Sequence, residues 1–317
     1  MSEPRSAGGA AGHAARPDAQ PAALARTVRR LAAAAEPPWL HAEVARRMAQ
    51  RLPWILRRPQ TVLQWWGAIG GDDAVLAAAY PEARRVSVEP DAATAARRAA
   101  AARAPWWSLR RWAGVAPAFV VEGDALPAAP LLWANMALHW ASDPGTLLRR
   151  WKRSLADDGF LMFSTCGPAT LGGLHALYRE QGWPTPAAGF VDMHDLGDML
   201  VEAGFADPVM DQEPLVLTWP DAAAALAELR ALGGNAALSR MAGLRTPRWR
   251  QRLLAALGAR CDAQGRIRLE FEIVYGHAFN APPRAKMAAR TEVSLDDFRA
   301  MARQDGARPI SKSSGSR

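Results

Sequence analysis

Between residues 61 and 165, short apolar runs alternate with helix-length amphipathic segments. Residues 61–65 (Thr-Val-Leu-Gln-Trp) are the first run. Gly67, Gly70 and Gly71 follow, then an alanine-rich helix ending near Tyr80-Pro81. Residues 85–89 (Arg-Val-Ser-Val-Glu) are β-branched and alternating, which predicts a strand. Residues 91–104 predict a helix with Asp91 as N-cap. Residues 118–121 and 131–134 predict strands running into Gly123-Asp124 and Asn135. A helix capped by Asp143 covers 144–155, Asp158-Gly159 turns, and 160–165 is a further strand. Strands separated by helices of this length predict an α/β, Rossmann-like, doubly wound, mostly parallel sheet.

The rhythm then changes. Residues 215–219 are strand-like. Residues 221–232 predict a helix capped by Asp221 and stopped at Gly233-Gly234, and 247–258 a second helix. Residues 266–277 alternate with no helix after them, which predicts an antiparallel C-terminal strand. Upstream, 24–56 has helical periodicity broken at Pro37-Pro38 and Pro53, with the second helix over 41–52. The expected organisation is a disordered tail at 1–22, N-terminal helices at 23–60, the sheet domain at 61–281 with a helical insertion near 221–258, and a basic tail at 282–317. One capped helix is expected at 294–302.

Half of the 317 residues are hydrophobic and 22% are charged, enough for a large core and against wholesale disorder. No apolar run approaches the roughly 18 residues of a membrane span, and 1–35 holds no signal-type stretch. Two cysteines, Cys166 and Cys261, cannot build a disulfide framework or a zinc site unaided. A reduced, cytoplasmic protein is expected. The net charge of +8 and pI of about 10.4 come almost wholly from arginine. The arginines are scattered as pairs (57/58, 84/85, 97/98, 110/111, 149/150), which reads as a solvated basic surface rather than a nucleic-acid footprint. The doublets Trp65-Trp66 and Trp106-Trp107 read as core and rim packing rather than base-stacking platforms.

Ligands of such sheets sit beyond the carboxyl ends of the strands. Glu89, closing the second strand, suits the hydroxyls of a ribose. Asp124 and the amide of Ala125, after the third, suit an adenine edge. His194 between Asp192 and Asp195 reads as a helix N-cap rather than a metal cluster, and no metal is expected. No Ser-His-Asp or Cys-His arrangement has convincing spacing.

The order of these strand ends resembles the class I S-adenosylmethionine-dependent methyltransferases. More narrowly, the chain is similar to the malonyl-[acyl-carrier protein] O-methyltransferases of biotin synthesis (BioC). The resemblance rests on Trp133-Ala134-Asn135-Met136-Ala137-Leu138-His139-Trp140, on Gly159-Phe160-Leu161-Met162-Phe163-Ser164-Thr165, and on Thr170-Leu171 with Leu174-His175. It continues through Phe190-Val191-Asp192-Met193-His194-Asp195-Leu196, Leu217-Thr218-Trp219 and the alternating strand ending at His277. It covers about residues 40–281. It implies S-adenosyl-L-methionine as cofactor, held by Gly67, Gly70, Gly71, Glu89, Asp124, Ala125, Asn135 and Met136. It implies an acidic acyl-carrier protein bearing a malonyl group as partner, and His139, His175 and a nearby arginine are the candidate orienting groups for the substrate. Arg245, Arg248, Arg250 and Arg252 are the candidate docking surface.

Two stretches depart from the pattern. The N-terminal helix lacks the Ser-Tyr-Asp-like aromatic that relatives place over the substrate, and Trp39 is the candidate substitute. The first-strand loop is the other, where Gly67 and Gly71 offer a shifted path. Gln64 stands at the first-strand acid, Trp66 at the first loop glycine and Ala68 at the second, while Gly70 keeps its place. In an active enzyme Trp66 is expected in the sheet–helix core, with Gly67 or Gly70 facing the pocket. In a catalytically degenerate binding or regulatory protein, it is expected in the cofactor cleft itself.

Overall fold

The computed structural model describes residues 18–55, 57–103 and 116–281. Trp106-Trp107, the 110/111 arginine pair, the helix expected at 294–302, the tail at 282–317 and most of the tail at 1–22 lie outside the described residues. The strands at the centre of the sheet are those with near-continuous apolar runs: β1 (Thr61–Trp65), β2 (Arg84–Glu89), β4 (Ala129–Ala134) and β5 (Leu155–Cys166). Val62, Leu63, Val86, Leu131, Leu132 and Leu161 are buried. Strands covered on both faces need no polar alternation.

With β3 (Ala118–Val121), β6 (Ala206–Trp219) and β7 (Ile267–Phe279), the sheet has the order β3-β2-β1-β4-β5-β7-β6. The first five strands pair in parallel; β7 is antiparallel to β5 and β6. This is a Rossmann-like, doubly wound sheet with an antiparallel end. Its direction reverses across β1 and β4, which places the switch point beside Trp66 and Asn135.

Ten α-helices are among the described residues: α1 (Pro21–Ala33), α2 (Trp39–Ala49), α3 (Gly67–Gly70), α4 (Asp73–Ala79), α5 (Ala92–Ala102), α6 (Pro144–Arg153), α7 (Gly172–Glu180), α8 (Met193–Glu202), α9 (Ala222–Leu232) and α10 (Pro247–Gly258). The caps follow their chemistry. Asp91, Asp143 and Asp221 each accept a hydrogen bond from the backbone N–H three residues on. Asp192 accepts from the His194 N–H and so opens α8. Among the described residues no cluster of His, Cys, Asp and Glu is arranged to hold a metal. Nor is any described helix long and apolar enough to cross a membrane.

Two strands run longer than their sequences suggest. β6 begins at Ala206, well before Leu215, and Pro214 lies within it, opposite Glu272. Asp207, Asp211 and Pro214 look like loop residues. An edge strand pairs on one side only, so it tolerates a missing N–H and outward carboxylates. β5 starts at Leu155, paired with Ala129 across a register shift. Asp158-Gly159 turns within that irregularity rather than before the strand.

Candidate functional site

Three non-glycine residues with left-handed backbone stand where the chain leaves the sheet: Trp66 (φ 51°) after β1, Met136 (φ 52°) after β4 and Leu171 (φ 59°) before α7. Such conformations cost about 1–2 kcal/mol each and persist where surrounding structure enforces them. Asn135 supplies part of that enforcement. It is fully buried; its Nδ2 donates to the carbonyls of His41 (2.8 Å) and Gly70 (2.6 Å), and its Oδ1 accepts from Ser164 Oγ (2.6 Å). One side chain therefore ties β4 and β5 to α2 and the glycine-bearing loop. Ser164 Oγ also accepts from Met136 N–H at 3.0 Å.

Beneath that loop lies a polar network. Glu89 is completely buried; its carboxylate accepts from Ser87 Oγ (2.7 Å), from the Ala68 N–H (3.3 Å) and from the Arg98 guanidinium. Arg98 also reaches Asp73 and lies over the Phe119 ring. Gln64 Nε2 donates to Asp72 and Asp73. An amide rather than an acid at 64 follows from this, because a third carboxylate there would face two others. Gly67 must lack a side chain for the same reason: a Cβ would overlap Arg98, Ser87 and Gln64.

Asp72 is fully buried and one of its oxygens has no hydrogen-bond partner. Burial, and then the neighbouring Asp73 charge, push its carboxyl from about 3.8 up to about 7. The folded state therefore holds a proton that the unfolded chain releases. Its stabilising effect is complete below the unfolded value and is lost as pH rises through about 7. Melting temperature should fall over that window in the wild type. In Asp72→Asn that component of the fall should disappear, leaving the variant the more stable at pH 8. Parallel curves would contradict the assignment.

Two cavities open on the carboxyl-end side of the sheet. The first, about 430 Å³, lies at the ends of β1 to β4 and is bordered by Trp66, Pro90, Asp91, Glu122, Trp140 and Arg150. Trp66 is 6% exposed. Its indole packs with the core around Leu31 and also forms the wall of this cleft, where Nε1–H donates to Glu122 at 2.8 Å. Arg150 donates to the other Glu122 oxygen at 3.0 Å and lies over the Trp65 ring. Burial pushes the Glu122 carboxyl up, opposed by these two partners.

The second cavity, about 490 Å³, is mostly apolar, walled by residues such as Met136, Leu171, Tyr178 and Phe271, with Arg230 and Arg240 among its lining. Arg245 lies over the Trp249 ring at 3.7 Å and donates to Tyr178 Oη at 3.1 Å. The cavities share Leu24 and Trp140. Trp140 is fixed there by Gly233, whose Cα leaves no room for a Cβ against the indole.

The sequence-derived residues fall in distinct places. Met136 and His139 line the larger cavity; His139 Nδ1 is 3.3 Å from Thr165 Oγ1, and its ring meets Trp140 and Phe190. His175 follows the cavity residue Leu174, is half-buried, and is held below its usual pKa by burial and Arg179. Trp39 is half exposed at the start of α2. Asp124 is exposed and closes its own turn by accepting from the Val121 N–H; Ala125 beside it is exposed. Gly67, Gly70, Glu89 and Asn135 are buried behind the loop, Gly71 is half-buried beside them, and none of the five borders either cavity.

Sequence reading missed Glu122, Arg150, Trp140 and His41. Glu122 was legible only as a neighbour of Gly123-Asp124. His41 is buried, lines the larger cavity, and is held down to about 4 by burial. Its Nδ1–H therefore donates to the Ile69 carbonyl at 2.8 Å, from a neutral ring.

No family profile matches the chain. Among curated proteins it is 39% identical, over 267 residues, to the malonyl-[acyl-carrier protein] O-methyltransferase of Laribacter hongkongensis, covering 82% of this chain and 87% of that one. It is 36% identical over 251 residues to the protein of the same name from Gallionella capsiferriformans, covering 77% and 85%. Among solved structures it is similar to the YcgJ protein of Bacillus subtilis (TM-score 0.52, 10% identity, 76% of this chain and 99% of that one). It is also similar to a putative methyltransferase of Bacillus halodurans (TM-score 0.50, 13% identity, 74% and 99%). At such identities the structural likeness speaks for the fold alone.

Proposed function

Because the chain belongs to the malonyl-[acyl-carrier protein] O-methyltransferase family, we propose that it methylates the free carboxylate of a malonyl thioester on acyl-carrier protein, using S-adenosyl-L-methionine, in making the pimelate moiety of biotin. The observation that carries this reading is the meeting of the two cavities at Leu24 and Trp140. A cleft at the sheet's switch point and an apolar pocket of acyl size share one wall, which is what transfer between two bound molecules needs.

The smaller cleft has a volume within the range of small-ligand sites. Its donor set fits an adenosine bearing a charged tail: indole faces from Trp66 and Trp140, carboxylates from Glu122 and Asp91, and cations from Arg29 and Arg150. The cofactor supplies an electrophilic methyl group.

The rest falls to this chain's residues, and it is modest. A malonyl carboxylate, with an ordinary pKa near 4, is ionised at neutral pH and needs no general base. Placement and exclusion of water suffice. The apolar lining around Met136, Leu171 and Phe271 removes water. Arg230, Arg240 and Arg245 orient the anion, and His139, His175 and Trp39 are retained as substrate-side candidates.

On this reading the carrier protein docks at Arg245, Arg248, Arg250 and Arg252 on and before α10. Arg248, Arg250 and Arg252 are exposed, and Arg250 also lines the larger cavity. Reversing those three charges should weaken carrier binding by roughly tenfold or more and flatten its salt dependence. Unchanged affinity would leave the patch as ordinary surface.

A second reading has its own observation. The Trp66 indole borders the cleft, where the resemblance leads one to expect a bare glycine, and Glu89 is spent on Arg98. A degenerate member that binds the acyl carrier without methylating it would have these features. Complementation separates the two. In a biotin-requiring strain lacking its own malonyl methyltransferase, growth without biotin supports the enzyme. Failure to grow, with the protein expressed and folded, supports the degenerate reading.

A further inference from the structure

Glu89 ends β2, Glu122 directly follows the neighbouring β3, and the two have opposite surroundings. Glu89 has no exposed surface, and its oxygens are taken by Ser87, Ala68 and Arg98. Releasing it toward a ligand would break its ion pair with Arg98, whose side chain is only 13% exposed and would keep only the largely exposed Asp73 as a carboxylate partner. Glu122 instead borders the cleft with its side chain 24% exposed. Trp66 Nε1–H engages one of its oxygens and Arg150 the other. A carboxylate accepts about four hydrogen bonds, so each oxygen keeps acceptor capacity. The two donors also fix the plane of the group before any ligand arrives.

We propose that Glu122, oriented by Trp66 and Arg150, is the group that reads the vicinal hydroxyls of a ribose in this cleft, in place of Glu89. This rests on the reading that the cleft takes an adenosyl cofactor. It also accounts for the tryptophan at position 66. The indole there supplies the hydrogen bond that aims the carboxylate, and in doing so forms the wall of a cleft displaced from the loop toward β3.

The test is titration calorimetry with S-adenosylhomocysteine and its 2′,3′-dideoxy analogue. Wild type should prefer the parent by about 100-fold or more, the worth of two hydrogen bonds to a charged acceptor. Glu122→Gln should reduce that preference to roughly threefold or less. The introduced amide keeps one oxygen and accepts from only one of Trp66 and Arg150, its NH2 facing the other donor; an unchanged melting temperature would show that the fold is kept. Glu122→Asp, which keeps the charge and draws the oxygens back, covers the case in which the amide variant fails to fold; it too should lose most of the preference. Glu89→Gln should melt lower yet keep the wild-type ratio.

The proposal is overturned if wild type binds both ligands equally. It is overturned too if the preference survives at Glu122 and vanishes in Glu89→Gln. No heat with wild type at millimolar ligand would remove the cofactor reading itself, and this proposal with it.

Discussion

Arg98→Ala should lower the melting temperature by about 6–20 °C. Breaking a buried ion pair from one side costs about 3–5 kcal/mol, because the remaining charge has neither water nor partner. In a domain of this size each kcal/mol moves the midpoint by about 2–4 °C. Glu89 is the stranded group, since it is completely buried while Asp73, the other partner, is largely exposed. The double variant Arg98→Met with Glu89→Gln should recover most of the loss, as it leaves no unpaired charge. Thermal melts of the three proteins check this. An Arg98→Ala variant as stable as wild type would mean that water reaches Glu89, and that it is not withheld from the cleft.

Trp66→Gly should be destabilising and should weaken cofactor binding. Removing a buried indole costs about 3–5 kcal/mol. Glycine accepts φ 51° freely and returns about 1–2 kcal/mol of that. A net loss of about 1–4 kcal/mol is expected, or roughly 2–16 °C. Affinity for S-adenosylhomocysteine should drop about tenfold or more, because Glu122 loses one of its two orienting donors. Trp66→Phe should keep the packing yet share the loss of affinity. The degenerate reading predicts the reverse for glycine: emptying the cleft of its indole would raise affinity. Melting curves and calorimetry on these two variants distinguish the readings.

The sheet was legible because its central strands are buried on both faces, so Val62-Leu63, Val86 and Leu131-Leu132 announce themselves as apolar runs. The helix starts were legible from Asp91, Asp143 and Asp221, whose side chains cap what their positions suggest. The first half of β6 was not, since an edge strand carries Asp207, Asp211 and Pro214 without penalty. A cleft does stand where the strand order suggests one, at the carboxyl ends of β1 to β4. Its residues were less legible. Whether Glu89 or Glu122 faces a cleft depends on where Arg98 and Trp66 point. Those directions come from contacts between residues 56 positions apart in the chain for Trp66 and Glu122, and 9 apart for Arg98 and Glu89. Strand periodicity carries no such information.

The central claim is that two adjoining cavities serve one methyl transfer. Its most direct test is incubation of the purified chain with S-adenosyl-L-methionine and malonyl-acyl-carrier protein, followed by mass spectrometry of the carrier. The account predicts that the malonyl group gains one methyl, as a base-labile ester, at a rate that depends on protein concentration. It also predicts that acetyl-acyl-carrier protein, which has no free carboxylate, stays unchanged. An unmodified malonyl carrier after prolonged incubation with folded, carrier-binding protein would contradict the account and leave the chain as a methyltransferase-fold binding protein.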